Sequence, residues 1–475
     1  MSSRRAWKLL LSWATLWGAC GPSVSEVSEL DAPLAHVEQQ VNRGWHTRWL
    51  RRSAATLEGN VFAGRLATDR DDASILVGNY QGSPDFGSGP LPPEEDTSRP
   101  RAFIVKYARN GQLLWAHGYG APAGSEFPET EFGNVTVDRQ RNITVYGYAE
   151  LGADFGGVSV GPGFFLAQFS HDGTVRWARH LQGYFGFASG LTVDGDDNIL
   201  LAGSMSGTAD FGGGPRSASV EGAFFVKYTR DGAYVVDRVF DTPDTSVFWA
   251  VTTDEHNFIH VAGYFTAESD FGGGPLHPGS PFGGETAVVA RYTPSGGHVW
   301  SRTLEGMTDM TKFHDVAVHG NRVVVTGEFR GRFKFGGHTF TARPVGSSGL
   351  VLAMTRNGGD RWGQTLGGSV MQVDSAQEDG MTVLGYAFPS DDVGTGPLPS
   401  TSSLYSVVSR FTWGQGHQQR VRTFSSDGAP MSALSVTRHG DVTLAGSFSM
   451  PVDFGTGKVE PSLPRNYDAF IFRME

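Results

Sequence analysis

Several segments of this chain combine aromatic side chains with carboxylates, which are groups that proteins use to hold sugars and peptides. Aromatic rings stack on the apolar faces of sugars, and carboxylates accept hydrogen bonds from hydroxyl groups. The sequence therefore suggests a glycan or peptide site, although the same rings could instead fill the space between packed sheets. The candidate residues are Phe127, Tyr184, Phe185, Phe248, Trp249, Phe313, Glu129 and Asp244.

Metal ligands are weakly represented. Asp194, Asp196 and Asn198 match the first three ligand positions of a calcium loop, but the glycine and the closing acid that such a loop needs are absent. No HExxH, CxxC or GxSxG motif occurs. The densest histidine and aspartate group is His314, Asp315 and His319. We interpret that group as ordinary surface polarity and predict no metal and no cofactor.

The start of the chain has the pattern of an export signal. Arg4, Arg5 and Lys8 precede an apolar run over residues 9–19 that is too short to span a bilayer, and Cys20, the only cysteine, follows. This pattern resembles a bacterial lipoprotein signal peptide. The resemblance implies that Cys20 is the lipid attachment point, and an ordinary signal peptide cut nearby is the alternative.

These features predict three regions. Residues 1–19 are expected to be the signal peptide and residues 20–43 a flexible tether, because residues 21–43 lack aromatic side chains and any strand pattern. Residues 44–475 are expected to form one large domain. The lipid would anchor the protein in the cell envelope, at the outer membrane or cell surface rather than the inner membrane.

Composition narrows the range of partners. Without the three basic residues of the first 19, the chain carries 35 basic and 49 acidic residues, a formal charge of −14. No basic stripe is present, so nucleic acid is not an expected partner. With no second cysteine, the domain must be held by core burial and strand pairing, and a monomer is expected.

A repeat organises residues 44–475. A DFG-like signature recurs with steps of 69, 56, 60, 64, 58 and 61 residues, counting one degenerate copy centred on Val393. Self-similarity at such a period predicts a repeat architecture. The central residues of the signatures are Phe86, Phe155, Phe211, Phe271, Phe335, Val393 and Phe454.

Each repeat predicts four strands, because short apolar and β-branched runs alternate with Gly, Asp and Asn turn signals. In residues 102–148, the strand AFIVKY is followed by a turn, a strand around Trp115, and a hairpin over residues 138–142. One repeat is divided between the two ends of the chain. Trp49 has the repeat's tryptophan position without a preceding AFIVKY strand, and AFIFRM at 469–474 has no strand after it. Pairing of these two segments would close a ring and remove exposed edges.

The motifs AFFVKYTRDG at 223, NGQLLWAHGYG at 110, GLTVDGDDNILLAGS at 190 and VTTDEHNFIHVAGYF at 251 carry a family resemblance. The chain resembles the seven-bladed β-propeller repeat family of bacterial secreted proteins (SBBP-type repeats) over nearly all of residues 44–475. The resemblance implies an all-β, seven-bladed β-propeller of four-stranded blades, closed by pairing of an N-terminal strand with the C-terminal strand. It implies no activity, because propellers serve many functions.

The connections between strands predict two unlike faces. Short turns such as 108–111, 138–142 and 194–198 fall on one face, which we call the turn face. Loops after the second and fourth strands fall on the other, which we call the long-loop face, and such longer loops commonly carry function. The favoured function is a non-catalytic, surface-anchored module that binds a protein or polysaccharide on the long-loop face. The alternative is an extracytoplasmic enzyme, a polysaccharide lyase or glycosidase with paired carboxylates at the channel mouth.

Overall fold

A computed structural model describes residues 44–55, 59–92, 99–120, 129–186, 190–279, 284–376, 380–425, 430–463 and 466–475. Within these ranges all regular structure is strand, so the all-β class predicted from the repeats is confirmed. A search of the same residues finds no helix with the length and apolarity to cross a membrane. The predicted signal peptide, the tether and Cys20 lie outside the described residues.

The strands of the first half, in chain order, are β1 (Thr47–Arg52), β2 (Ala54–Ala55), β3 (Val61–Thr68), β4 (Ser74–Tyr80), β5 (Pro84–Asp85), β6 (Arg101–Tyr107), β7 (Leu113–Tyr119), β8 (Thr130–Val137), β9 (Ile143–Ala149), β10 (Ala153–Asp154), β11 (Ser159–Val160), β12 (Gly163–Phe169), β13 (Val175–Phe185), β14 (Gly190–Val193), β15 (Ile199–Asp210), β16 (Pro215–Tyr228) and β17 (Tyr234–Val239).

Those of the second half are β18 (Ser246–Thr253), β19 (Ile259–Phe265), β20 (Ser269–Asp270), β21 (Pro275–Leu276), β22 (Thr286–Tyr292), β23 (His298–Arg302), β24 (Thr311–His319), β25 (Arg322–Phe329), β26 (Arg332–Phe335), β27 (His338–Thr341), β28 (Ser348–Thr355), β29 (Asp360–Gly367), β30 (Ser369–Ala376), β31 (Gly380–Ala387), β32 (Tyr405–Phe411), β33 (Gln418–Ser425), β34 (Met431–Val436), β35 (Val442–Phe448), β36 (Val452–Asp453), β37 (Lys458–Val459) and β38 (Asp468–Met474).

The long strands pair antiparallel in four-stranded units. Unit 1 is β3-β4-β6-β7, unit 2 is β8-β9-β12-β13, unit 3 is β14-β15-β16-β17, unit 4 is β18-β19-β22-β23, unit 5 is β24-β25-β28-β29, unit 6 is β30-β31-β32-β33 and unit 7 is β34-β35-β38-β1. Units 2 and 3 join into one eight-stranded sheet through β13 and β15. No described sheet closes on itself into a barrel.

Each third strand is covered on both sides, which explains why its sequence is almost wholly apolar. In β6 every residue after Arg101 is buried. The DFG-like signatures supply rings to the same core, and Phe86 lies 4.8 Å from Phe103 between ring centroids. The preceding Asp85 accepts hydrogen bonds from the backbone of Gly87 and Gly89. The signature is therefore a tight corner with its ring in the core.

The repeated tryptophans tie each fourth strand to the neighbouring unit. The indole Nε1 of Trp115 in β7 donates to the carbonyl oxygen of His171 in unit 2, across 3.1 Å. Trp49 of β1 donates in the same way to Arg109 of unit 1. Gly111, in a left-handed conformation, lies under the Trp49 ring, where a β-carbon would come within 2.6 Å of the indole. A glycine is needed at this turn because any side chain would collide with the indole.

The first strands lie beside one another in chain order. β3 contacts β8, each later first strand contacts the next, and β34 contacts β3. The two ends of the domain meet in unit 7, where β1 pairs antiparallel with β38. Leu50 lies opposite Phe472, and the backbone N–H of His46 donates to the carbonyl oxygen of Glu475 over 3.1 Å. Strand pairing thus joins residues more than 400 positions apart, as Thr47 and Met474 are.

Candidate ligand-binding surface

Three of the aromatic residues predicted to face a ligand are core residues. Phe185 and Phe248 have no exposed surface and Phe313 is 1% exposed. The Phe185 ring lies between Phe164 and Phe211, with centroids 5.3 and 5.6 Å away. These rings are covered by neighbouring rings and offer no face to a ligand. They fit the alternative given above, in which the rings fill the space between packed sheets.

The other predicted site residues remain at the surface where they are described. Tyr184 is exposed, Trp249 and Glu129 are half-buried, and Asp244 is exposed. The Asp244 carboxylate accepts a hydrogen bond from the backbone of Thr245, and its carbonyl oxygen accepts one from the Thr242 hydroxyl. Phe127 lies outside the described residues. The structure brings Tyr184 and Glu129 into one neighbourhood, and Trp249 belongs to a second.

The first neighbourhood is built on the ends of β8 and β9, on the long-loop face. Glu131 lies directly opposite Tyr148. The backbone N–H of Glu150 donates to the carbonyl oxygen of Glu129 over 2.8 Å, which continues the same register. Residues two apart on a strand point to the same side. Glu129, Glu131, Tyr148 and Glu150 therefore share one side of the ladder, and we call this group the acidic ladder end.

A β-bulge sets this register. The pairing shifts by one residue between Phe132 and Asn134, so that Gly133 has no partner. Without the bulge, Phe132 would lie opposite Tyr148. The extra residue thus places Glu131 opposite the tyrosine and turns Phe132 into the core, where it is 2% exposed.

Glu131 is the most unusual group of the acidic ladder end. Its side chain is almost buried, with 4% of its surface exposed. Burial, together with the nearby Glu129 carboxylate, raises the pKa of Glu131 to about 8. A carboxyl group in this state holds its proton near neutral pH.

The surroundings of Glu131 are mainly acidic or aromatic. Arg99 approaches Glu129 at 4.0 Å. Burial and the charges of Glu150, Glu129 and Glu131 raise the pKa of Tyr148, to which Tyr184 also contributes. The exposed Tyr184 therefore stands near the acidic ladder end. Carboxyl groups and phenol rings converge here at the start of a first strand.

The second neighbourhood is centred on Trp249, the bulge residue of β18. Its ring lies 6.3 Å from Tyr264 and 5.5 Å from His314 of unit 5. Lys312 places its ammonium 5.4 Å from the Tyr264 ring centroid and 2.9 Å from a Glu285 carboxylate oxygen. The ammonium of Lys312 is thus already paired with a carboxylate and an aromatic ring of the protein itself.

The histidine and aspartate group of unit 5 does not converge. His314 is buried, and its Nδ1 is 3.1 Å from the carbonyl oxygen of Val370. His319, at the opposite end of β24, stacks on Trp413. Asp315 accepts a hydrogen bond from the backbone of Val373 in unit 6 at 2.9 Å. Withdrawal of its carboxyl from water raises the pKa of Asp315 to about 7. Asp315 links adjacent first strands, whose edges lack backbone partners there.

The calcium-like triad is likewise satisfied within the protein. Asp194 accepts hydrogen bonds from Asn198 and pairs with Lys227 at 2.6 Å. In the part of the chain that is described, one acidic and histidine group has ligand atoms within 4.8 Å of one another, namely Asp254, Glu255 and His256. The Asp254 carboxylate is already 2.7 Å from Arg291. These residues therefore act as ion-pairing groups of the turn face.

A groove of about 370 Å³ lies on the turn face, between units 1 and 2. Four of its charged residues form two ion pairs. Lys106 is 2.8 Å from Asp69, and Arg141 bonds Asp71. The exposed Leu114 and the half-buried Trp115 form its apolar part. No sequence pattern indicates this groove, because its residues come from turns of two separate repeats.

The sequence predicted Glu129 and Tyr184 as site residues. It did not predict Tyr148, Glu131 or Glu150. The alternation of Glu129 and Glu131 on one strand is visible in the sequence. Their opposition to Tyr148 and Glu150 depends on the bulge at Gly133. A bulge position is set by tertiary packing, and no residue type marks it reliably.

No protein family model matches the chain. A curated relative, an uncharacterized WD repeat-containing protein of Acanthamoeba polyphaga mimivirus, is 25% identical over 180 residues, which is 34% of this chain and 12% of that protein. The chain thus matches only a small part of the length of that relative.

Solved structures with a similar fold include WD40 and β-propeller domains. The Pan2 WD40 domain of Neurospora crassa is 11% identical, with 90% of this chain and 95% of that chain covered and a TM-score of 0.44. The β-propeller domain of the Trilobed protease from Pyrococcus furiosus is 8% identical, with 86% and 93% covered and a TM-score of 0.42. The quinohemoprotein alcohol dehydrogenase of Comamonas testosteroni is 10% identical, with 90% and 76% covered and a TM-score of 0.39. The chain is an all-β protein with WD40 and propeller domains among its structural neighbours.

Proposed function

We propose that this chain is a non-catalytic binding or scaffold protein of the cell envelope, which engages a protein or polysaccharide through its long-loop face. The observation that carries the proposal is the acidic ladder end. Like charges placed directly opposite on paired strands destabilise a ladder. Glu129 and Glu150 have this placement, with the exposed Tyr184 nearby. Local arrangements that cost stability are typical of functional sites.

The turn face differs from the long-loop face in how its charged groups are paired. Its buried charges pair at short distance, as Lys106 does with Asp69, Lys227 with Asp194 and Arg291 with Asp254. Such pairs hold the hairpin turns in place and leave little charge for a ligand. The long-loop face has excess carboxylate around unit 2, which favours it as the binding surface.

For the architecture, we propose a seven-bladed β-propeller in which the seven units are the blades of a closed ring. The proposal is supported by the pairing of β1 with β38 and by the contact of β34 with β3. Trp49 also makes the same kind of bond to unit 1 as Trp115 makes to unit 2. A ring protects the edges that a linear array of sheets would expose.

We further propose that Cys20 carries a lipid and that residues 20–43 tether the domain, as a monomer, to the outer membrane or cell surface. The motif at residues 4–20 supports this, because a basic start, a short apolar run and a single cysteine follow in order. The partner would then be met outside the cytoplasm.

A polysaccharide lyase or glycosidase is the second candidate. It is favoured by the nearly buried carboxyl group of Glu131, whose pKa is raised to about 8 by burial and by the nearby Glu129 carboxylate. Such enzymes use one carboxyl group as the acid and a second as the base or nucleophile. Release of reducing ends or unsaturated sugars from envelope polysaccharides, lost in Glu131→Gln, would favour the enzyme over the binding protein.

The binding proposal is tested with the full chain as bait, against cell envelope extracts and a glycan array. Any partner recovered is then measured with two variants. Tyr184→Ala removes an exposed ring on the long-loop face, and Arg139→Ala, its control, removes an exposed side chain on the turn face. We expect Tyr184→Ala to weaken binding and Arg139→Ala to leave it unchanged. The reverse result would place the binding surface on the turn face and refute the proposal.

A further inference from the structure

The groove on the turn face between units 1 and 2 lies beside a position that repeats around the domain. In five units, the turn between the third and fourth strands holds one residue whose carbonyl oxygen accepts a hydrogen bond from a tryptophan indole of a neighbouring unit. We call this place the turn position. Because the same bond fixes all five backbones, their side chains start from equivalent places. The residues at the turn position are Arg109, His171, Arg230, Arg356 and Trp413.

Side chains at the turn position reach back to that neighbouring unit. The guanidinium of Arg356 lies 3.7 Å from the Asp254 carboxylate of unit 4. The guanidinium of Arg109 lies 3.7 Å from the Asp441 carboxylate of unit 7. The Trp413 ring stacks on a histidine at the end of β24 in unit 5. At three of the five positions, a long side chain of the protein itself thus occupies the space between two units.

His171 differs from these three residues. It is exposed, and its described hydrogen bonds are those that its carbonyl oxygen accepts from Trp115 and Lys106. It lines the groove, whose volume is about 370 Å³. Ligand pockets in proteins begin at about 300 Å³. The space that Arg356 occupies between units 4 and 5 is therefore open between units 1 and 2.

The aspartates beside the two spaces are equivalent. Asp69 and Asp254 each accept hydrogen bonds from the backbone N–H groups two and four residues later. Asp254 lies near two guanidinium groups, 2.7 Å from Arg291 and 3.7 Å from Arg356. Asp69 pairs with Lys106 at 2.8 Å and forms no second ion pair with the residues that the structure describes. An aspartate at this place can thus accommodate a second cation, and Asp69 has only one.

We infer that this groove binds an arginine side chain of a partner protein, in the place that Arg356 takes between units 4 and 5. The site lies on the turn face and goes beyond the binding proposed for the long-loop face. The ligand guanidinium would lie beside Asp69, since charge-assisted hydrogen bonds to a carboxylate are strong. The exposed Leu114 would cover its aliphatic stem, because arginine packs its methylene groups on apolar surface.

Other classes of ligand match the groove less well. The Trp115 ring already stacks on His117, with 5.2 Å between centroids, so it offers less surface to a sugar. Lys106 and Arg141 already pair with aspartates of unit 1, and a metal ion would have to compete with both cations. A guanidinium can instead join an existing pair, as the two arginines beside Asp254 do.

The experiment measures binding of N-acetyl-L-arginine amide to the full chain by saturation-transfer difference NMR. The ligand control is N-acetyl-L-citrulline amide, which keeps the size of arginine and removes its charge. Two variants fill the groove from the protein side. His171→Arg introduces the residue that units 1, 3 and 5 have at the turn position, and Leu114→Arg copies Arg176, which precedes the tryptophan of unit 2. His338→Arg adds the same charge at an exposed place in unit 5 and is the matched control.

We expect the arginine amide to bind and the citrulline amide not to bind. His171→Arg and Leu114→Arg should each raise the dissociation constant about tenfold or more, while His338→Arg leaves it little changed. Melting temperatures are measured alongside, and a variant that melts below the wild type is judged by the other. Equal binding by all three variants, equal binding of the two amides, or no binding by the wild type would overturn the inference. A partner lost with Tyr184→Ala would even then leave the proposed function standing.

Discussion

The indole Nε1 of Trp49 donates a hydrogen bond to the carbonyl oxygen of Arg109 across 2.9 Å, which joins the strand that starts the domain to a turn of unit 1. Trp115, one unit further on, donates in the same manner to His171 across 3.1 Å. The two tryptophans hold equivalent places although Trp49 pairs with the last strand of the chain. Unit 7 is thus attached to unit 1 in the way that unit 1 is attached to unit 2.

Trp49→Phe keeps an aromatic ring but removes this donor, and should lower the free energy of unfolding by about 1–2 kcal/mol. Trp115→Phe is the matched comparison and should cost a similar amount. Chemical denaturation of both variants checks the prediction. A loss for Trp115→Phe with none for Trp49→Phe would mean that the attachment of unit 7 to unit 1 adds nothing to stability.

Deletion of residues 468–475 should destabilise the domain far more than deletion of residues 21–43. The first deletion removes β38, whose residues are all buried, and leaves both β1 and β35 with an unpaired edge. Thermal melts of the two truncated proteins provide the measurement. Similar melting temperatures would contradict a closed arrangement of the units.

Phe185→Ala and Phe248→Ala should each cost on the order of 3 to 5 kcal/mol, because each ring is fully buried among other rings. Tyr184→Ala, next to Phe185 but exposed, should cost much less. Urea unfolding separates the three variants. A Phe185→Ala variant that melts like the wild type but no longer binds a ligand would contradict this prediction. The ring would then be a ligand contact and not part of the core.

Stability should fall as the pH rises, and Glu131 should account for part of the fall. The folded pKa of Glu131 is raised from 4.5 to about 8, so the folded state holds its proton more tightly than the unfolded chain. The resulting stabilisation is complete below about pH 4.5 and is lost as the pH rises to about 8. Glu129, Tyr148 and Glu150 share its side of the ladder, and Arg99 is the nearby cation.

Melting temperatures of the wild type and of Glu131→Gln between pH 5 and 9 test this. The wild type should lose stability over this range more steeply than the variant, because the amide does not titrate. Asp315 and Asp374, whose pKa values burial raises to about 7 and about 6, should maintain a residual slope in both proteins. Parallel curves would show that Glu131 titrates normally.

Cys20→Ser should release the protein from the membrane fraction and block processing of the precursor, because the thiol is the group that a lipoprotein pathway would modify. Cell fractionation and the apparent mass of the product provide the readout. A serine variant that is processed and stays with the membrane would exclude a lipid anchor at this position.

The sequence predicted the strands well because each repeat carries the same local signals. Turn residues such as Gly111 and buried strands such as residues 102–107 recur with fixed spacing, and their conformations are set locally. The pairing of the Trp49 strand could also be predicted. No AFIVKY-type strand precedes Trp49, and such a strand, AFIFRM, stands at the end of the chain.

Burial of the loop aromatics was harder to foresee. Tyr184 and Phe185 are neighbours in sequence, yet one is exposed and the other has no exposed surface. Their difference comes from alternation along β13 and from where that strand crosses to β15. The acidic ladder end was missed for a related reason, because the register of Glu131 depends on one unpaired glycine.

The pairing of β1 with β38 has a consequence for how the protein folds and how it can fail. Bringing together segments more than 400 residues apart costs loop-closure entropy of about 5 kcal/mol, so this pairing should form late. Until then each molecule exposes two complementary strand edges. At high concentration, β38 of one copy can meet β1 of another before it meets its own. Refolding from denaturant at high protein concentration should therefore produce domain-swapped dimers, while refolding at high dilution yields monomers.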